Sequence, residues 1–147
     1  MNKIGAGFGV LLLNKEGQIL LGLRHDDPDK ADSELHGEGT WTMPGGKLDF
    51  QESFEKGAQR EMLEETDIHI NTDDLEIICV SNDKVTDAHF ITIGILCKKF
   101  AGNPKVMEPD EIVEWQWFDL DKLPKNMFFP SKRVLDNYIS KTFYTKY

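Results

Sequence analysis

The chain has 147 residues, 39% of them apolar and 10% aromatic, and carries 26 acidic against 17 basic side chains for a net charge of −9. That length predicts one domain, 1–147, burying roughly 70% of its unfolded surface without disulfide or metal staples. The acidic balance argues against polymeric nucleic acid, whose affinity rests on Lys and Arg, and no apolar run approaches the ~20 residues of a membrane span.

The opening "MNKIGAGFGVLLL" resembles a leader only superficially. Its glycines alternate with apolar residues, and no small-residue cleavage site precedes "NKEGQILLGLR". Residues 4–13 therefore read as a strand, "NKEG" as a turn and 18–24 as a second strand, together a hairpin. Residues 25–39, polar and acidic with Pro28, Gly37 and Gly39, form a loop long enough to suggest a functional segment. "TWTMPGGKLDF" gives a short strand broken by Pro-Gly-Gly, and 52–66 has a helical composition. The β-rich runs 75–85 and 89–100 are expected to pair, and 115–124 reads as a strand entering a turn. Val134, Leu135, Tyr138, Ile139 and Phe143 recur at helical spacing within 131–143. The order predicts an α/β fold with a mixed sheet flanked by helices.

Cys79 and Cys97 lie in strand-like runs with no Cys-x-x-Cys partner, so they read as buried free thiols rather than a disulfide or zinc site. This points to a reducing, cytoplasmic setting. His25, His36, His69 and His89 show no metal-ligand spacing, and Trp41, Trp115 and Trp117 read as core or interface.

"QREMLEETD" places Glu61, Glu64 and Glu65 on one face of the helix. Like charges at that spacing cost a helix a few tenths of a kcal/mol per pair. No lysine follows four residues after any of them, although Arg60 can pair with Glu64. A solvated charged helix is the plain alternative. The preceding "PGGKLDFQE" points elsewhere: Pro44 stiffens the approach, while Gly45 and Gly46 permit close backbone approach to a ligand. Glycines beside clustered carboxylates suggest a phosphate-and-metal site, since hard divalent ions favour carboxylate oxygens.

Gly46, Glu52, Arg60, Glu61, Met62, Glu64, Glu65 and Ile68 stand at the spacing of the Nudix box, G-x5-E-x7-R-E-U-x-E-E-x-G-U with U a bulky aliphatic residue, and segment 46–68 resembles it at every charged position. Asp67 stands where the family has its second glycine; Asp tolerates the left-handed region better than most residues. The N-terminal strands, "TWTMPGG" and "EWQWFDLDKLP" extend the resemblance over most of the chain, closest to the MutT-like nucleoside triphosphate diphosphatases.

The resemblance implies a Nudix fold, a mixed β-sheet sandwiched between α-helices. It also implies metal-dependent hydrolysis of a canonical, damaged or modified nucleoside triphosphate to monophosphate and pyrophosphate. Glu61, Glu64 and Glu65, with Gly46 against them, would hold Mg²⁺ or Mn²⁺. Glu52 and Arg60 would support and orient these glutamates. The base would be a box glutamate such as Glu64 or a later one, for which Glu111 in "MEPDEIVEW" fits best among Glu108, Asp110, Glu111 and Glu114. Gly45 would lie at the same site. Arg24, Thr42, Met43, Thr92, Phe128 and Phe129 are the substrate candidates, with core packing the plain alternative for Met43 and both phenylalanines. Thr92 alternates with Ile91 and Ile93 and so faces away from them. Asp83, Lys84 and Val85 stand where ADP-ribose hydrolases tend to have a proline and dinucleoside polyphosphate hydrolases a tyrosine, which weakens both readings. The expected partner is a small nucleotide, not polymeric nucleic acid or a membrane; a homodimer is compatible with this. Hydrolysis of a sugar nucleotide or another nucleoside diphosphate derivative is the second reading. A non-catalytic nucleotide sensor is the third, disfavoured by an intact box.

Overall fold

The computed structural model describes residues 2–31 and 33–147. Its first strand, β1 (Ile4–Leu12), lies between β4 (Gly45–Lys47) and β7 (Ala88–Cys97), and β7 pairs in turn with β6 (Leu75–Val85). The β1–β7 pair is parallel and the others antiparallel, so this sheet is mixed. A second, antiparallel sheet has the order β3 (Trp41–Thr42), β2 (Gln18–Arg24), β9 (Ile112–Asp119).

The expected hairpin of β1 with β2 does not form. The turn at 14–17 is present, with Gly17 N–H donating to Asn14 O at 3.1 Å. Beyond one bridge between Leu13 and Ile19, however, the strands part into different sheets. Both are buried along most of their length, so each needs ladder partners on both edges and cover on both faces. β1 finds β4 and β7; β2 finds β3 and β9.

Period-two alternation then sorts side chains into two cores. Phe8, Val10, Leu12 and Leu20 pack with Ala58 and Met62 of helix α1 (Phe54–Thr66). Leu11, Ile19 and Leu21 pack with Val134 and Leu135 of helix α2 (Phe129–Ser140). The unbroken "GVLLL" run is thus explained by a helix on each side. Both cysteines are buried free thiols, and the three tryptophans pack against the edges of these cores. Among the described residues no helix is long and apolar enough to cross a membrane.

Several boundaries differ from the sequence reading. α1 begins at Phe54 because Ser53 is its N-cap, accepting from Lys56 N–H at 3.1 Å, while Glu52 accepts from Asp49 N–H outside the helix. β7 ends at Cys97, and Phe100–Ala101 (β8) pairs instead with His69–Ile70 (β5). β9 starts at Ile112 rather than 115. α2 starts at Phe129, with Pro130 in its first turn where no N–H is needed.

α1 ends at Asp67, which adopts φ 60°, ψ 21° and donates its N–H to Leu63 O at 3.1 Å. This is the left-handed exit expected from the sequence. Lys105 Nζ lies 3.2 Å from its carboxylate, an exposed pair worth ~0–1 kcal/mol. Asp67→Gly should therefore remain within about 1 kcal/mol of wild type in urea unfolding, because relief of the left-handed cost offsets the lost pair and glycine's entropy. Asp67→Ala, which relieves nothing, should lose ~1–2 kcal/mol. Equal stabilities for the alanine and glycine variants would contradict the left-handed cap.

Candidate active site

The Pro-Gly-Gly turn carries the chain from β3 into β4, directly against β1 and α1. A Cβ on Gly45 would stand 2.1 Å from Phe8 O, and one on Gly46 would stand 2.8 Å from the Glu61 carboxylate carbon. At Gly45 the obstacle is backbone, so only glycine fits there; at Gly46 a side chain would push the Glu61 carboxylate from its place. Glu61 and Glu65 line a cavity of about 390 Å³ together with Gly45, Gly46 and Lys47.

Arg60 sits beside this pair. Its Nε and Nη2 donate to the two oxygens of Glu52 at 2.8 and 2.9 Å, and its Nη1 donates to Glu61 at 2.7 Å and to Glu64 at 3.4 Å. The two-pronged bond to Glu52 is the strong geometry for a guanidinium and carboxylate. It holds Glu52 down at a pKa of about 2, helped by the Asp49 N–H, and raises Arg60. Glu64, with its side chain 54% exposed, turns toward Arg60 and does not line the cavity.

Glu65 has the opposite environment. Burial pushes its carboxyl well above the ordinary range, reinforced by a hydrogen bond and repulsion from Glu61 and by the charge of Glu108; Gly45 N–H opposes weakly at 3.5 Å. Glu108 is raised too, by burial and then by Glu111, Glu61 and Glu64. Charge of one sign thus accumulates here from α1 and the 108–111 segment, and Glu111 lines the cavity. Among the described residues no three His, Cys, Asp or Glu side chains already converge as a metal cage. The donor chemistry nevertheless fits a hard divalent cation: a partly buried carboxylate pair on the cavity wall, a third glutamate one helical turn from Glu61, and a glycine whose missing side chain leaves room against Glu61.

The rest of the cavity's lining is mostly uncharged, with Arg24 and Glu34 as the exceptions. Ser131, in the first turn of α2, accepts from Met43 N–H at 2.9 Å, and its hydroxyl lies 3.1 Å from the Thr42 hydroxyl. Thr92 faces the same space, as its alternation with Ile91 and Ile93 requires, and Phe128 and Met43 are exposed to it. Phe129 is not: its ring packs with the Arg133 guanidinium, 5.0 Å from the ring centre. Arg24 is buried, lines the cavity, and donates to the backbone carbonyls of Ala31 and His36 in the 25–39 loop. Sequence reasoning missed Ser131, Lys47 and the loop residues Ala31 and Leu35, all of which line the cavity. Lys47, next to Gly46, could have been found from its position; Ser131 carries no signal apart from its contacts.

The NUDIX domain model matches residues 3–138. The chain belongs to the Nudix family. An oxidized purine nucleoside triphosphate hydrolase of Danio rerio is 29% identical, over 78% of this chain and 67% of that protein. An RNA pyrophosphohydrolase of Gluconacetobacter diazotrophicus is 32% identical, over 80% of this chain and 78% of its own. An ADP-ribose pyrophosphatase of Methanocaldococcus jannaschii is 28% identical, over 87% and 69% respectively. The crystal structure of a MutT Nudix hydrolase from Burkholderia pseudomallei superposes with a TM-score of 0.79 at 29% identity, covering 92% of this chain and 98% of that one. The protein is a Nudix hydrolase of MutT-like fold. Nudix hydrolases generally need divalent metal ions, and the relatives' names divide among three substrate classes.

Proposed function

We propose that this Nudix hydrolase converts a nucleoside triphosphate to the monophosphate and pyrophosphate, with Mg²⁺ or Mn²⁺. The observation that carries the reading is the make-up of the cavity. One part is carboxylate and glycine, with Lys47 beside it; the other is mostly uncharged, with Thr42, Thr92, Ser131, Met43 and Phe128, and with Arg24 and Glu34 as its charged members. The first suits phosphates screened by cations and the second an uncharged base.

In this reading Glu61, Glu65 and the Gly46 backbone would hold the cation, and Glu64, which turns toward Arg60, would have to swing round to join them. The ion would supply charge neutralisation of the polyphosphate and a more acidic water. Arg60, fixed by Glu52, holds Glu61 and Glu64 in place. Glu111, which lines the cavity, takes the proton of the attacking water. Water's oxygen joins one phosphorus of the α–β bridge and the bridging P–O bond breaks, its electron pair leaving with the departing phosphate oxygen; the second water proton stays on the product that gained the oxygen, and the proton on Glu111 returns to solvent. The buried free thiols suit a cytoplasmic location.

Phe128 lies where it can stack on a base, whereas Phe129 covers Arg133. Phe128→Ala should raise KM for nucleoside triphosphates about tenfold, with a smaller change in kcat, the scale of one base–aromatic stack. Phe129→Ala should instead lower the melting temperature and leave KM within about threefold. Reversal of the two phenotypes would place the base against Phe129.

The substrate class is tested by a panel with Mg²⁺: nucleoside triphosphates including oxidised purines, 5′-triphosphorylated RNA, ADP-ribose and sugar nucleotides. The highest kcat/KM is expected for a free nucleoside triphosphate. A preference for RNA, ADP-ribose or a sugar nucleotide would overturn the reading, as would tight binding without turnover.

A further inference from the structure

Arg24 ends β2 at a register shift opposite β9, between Leu23 and Arg24, and the residue is 7% exposed. A guanidinium so placed must find acceptors or lose stability. It finds them in the 25–39 loop: Nη2 donates to Ala31 O at 2.7 Å and Nη1 donates to His36 O. The other face of the group stacks on Phe128, 4.9 Å from the ring centre. His36 and Gly37 both turn at positive φ, 66° and 99°, which brings the loop onto this stack. A Cβ on Gly37 would meet Phe128 at 2.4 Å and Arg24 Nη1 at 2.5 Å. The Phe128 backbone is tied independently, its N–H donating to Trp41 O at 2.7 Å.

Ala31 and Leu35 on the loop and Phe128 ahead of α2 all line the catalytic cavity. These walls come from segments about a hundred residues apart in sequence, and Arg24 touches both. We propose that Arg24 is a positioning residue for substrate selection: it clamps the loop wall to the Phe128 wall, so that recognition of the nucleoside, rather than of the polyphosphate, depends on it. This rests on the nucleoside triphosphate reading above. Arg24 itself lines the cavity, as a substrate candidate should; beyond that, it acts on the nucleoside through the two walls it joins. Burial lowers the Arg24 pKa while the charges of Glu38 and Glu111 oppose that shift, and arginine remains charged throughout the working range.

The test compares wild type with Arg24→Met, Arg24→Lys and Gly37→Ala. The probes are dGTP with Mg²⁺ as substrate and inorganic tripolyphosphate with Mg²⁺ as competitive inhibitor. Arg24→Met should raise the dGTP KM at least about tenfold, with kcat within about threefold and the tripolyphosphate Ki within about twofold. Backbone amide exchange over residues 33–37 should accelerate at least about tenfold in the free protein, with α1 unchanged. Arg24→Lys should not rescue, because one ammonium cannot match a planar fork that serves two carbonyls and an aromatic face. Gly37→Ala wedges the same contact apart with Arg24 intact and should reproduce the KM rise, so the test stands even if Arg24→Met does not fold. A joint weakening of dGTP and tripolyphosphate would mean that Arg24 reads phosphate, overturning the proposal. So would an unchanged KM, or a raised KM with unchanged loop exchange. If wild type does not turn over dGTP, the triphosphate reading fails separately, and the exchange comparison still decides whether Arg24 clamps the walls.

Discussion

Hydrolysis by this protein is expected to fall to background in EDTA and to return on addition of Mg²⁺ or Mn²⁺. Glu61, Glu64, Glu65, Glu108 and Glu111 bring like charge together from α1 and the 108–111 segment, as the raised pKa values of Glu65 and Glu108 express. Arg60 spends its donors on Glu52, Glu61, Glu64 and the Lys47 carbonyl. A triphosphate adds several more negative charges to the same cavity. Without cations the Coulomb terms at a few ångströms oppose binding, and bound water stays a weak nucleophile. Metal should also raise the melting temperature, because it binds the folded site and not the open chain. Full activity in excess chelator would contradict the assignment.

Glu65→Gln should lower kcat by at least about a hundredfold, the scale of losing one key electrostatic group. Its effect on folding should run the other way. Glu65 is buried among like charges, and glutamine keeps the volume without the charge, so the variant should unfold no more easily than wild type in metal-free buffer. The stabilisation by Mg²⁺ should shrink in the same variant. A near-wild-type rate would place the metal elsewhere, and a destabilised variant would mean that the carboxyl serves the fold.

Legibility in the sequence followed the reach of each signal. Box spacing is local, so the body of α1 and its left-handed end at Asp67 were readable, though not its start at Phe54, and β6 was read at its observed bounds, 75–85. The pairing of β1 with β2 was misjudged because a turn between apolar runs says nothing about which face or edge is already claimed. Only the burial of both strands, with helices on either side, shows that each had to seek other partners. The two-residue strands β5 and β8 are too short to carry a period. Ser131 and the loop residues reach the cavity through contacts between distant segments, which no spacing rule reports. The same is true of Arg24: its place among the substrate candidates agrees with its position on the cavity lining, but its bonds to the carbonyls of Ala31 and His36 had no signal in the sequence.

The bond that is cut tests the account most directly. A purified nucleoside triphosphate, incubated with the protein and Mg²⁺, can be followed by phosphorus NMR in one tube. The prediction is equal growth of nucleoside monophosphate and pyrophosphate signals, with neither nucleoside diphosphate nor orthophosphate formed early. Release of orthophosphate and a diphosphate as first products, or no change in any nucleoside triphosphate while ADP-ribose or a sugar nucleotide is cleaved, would contradict it.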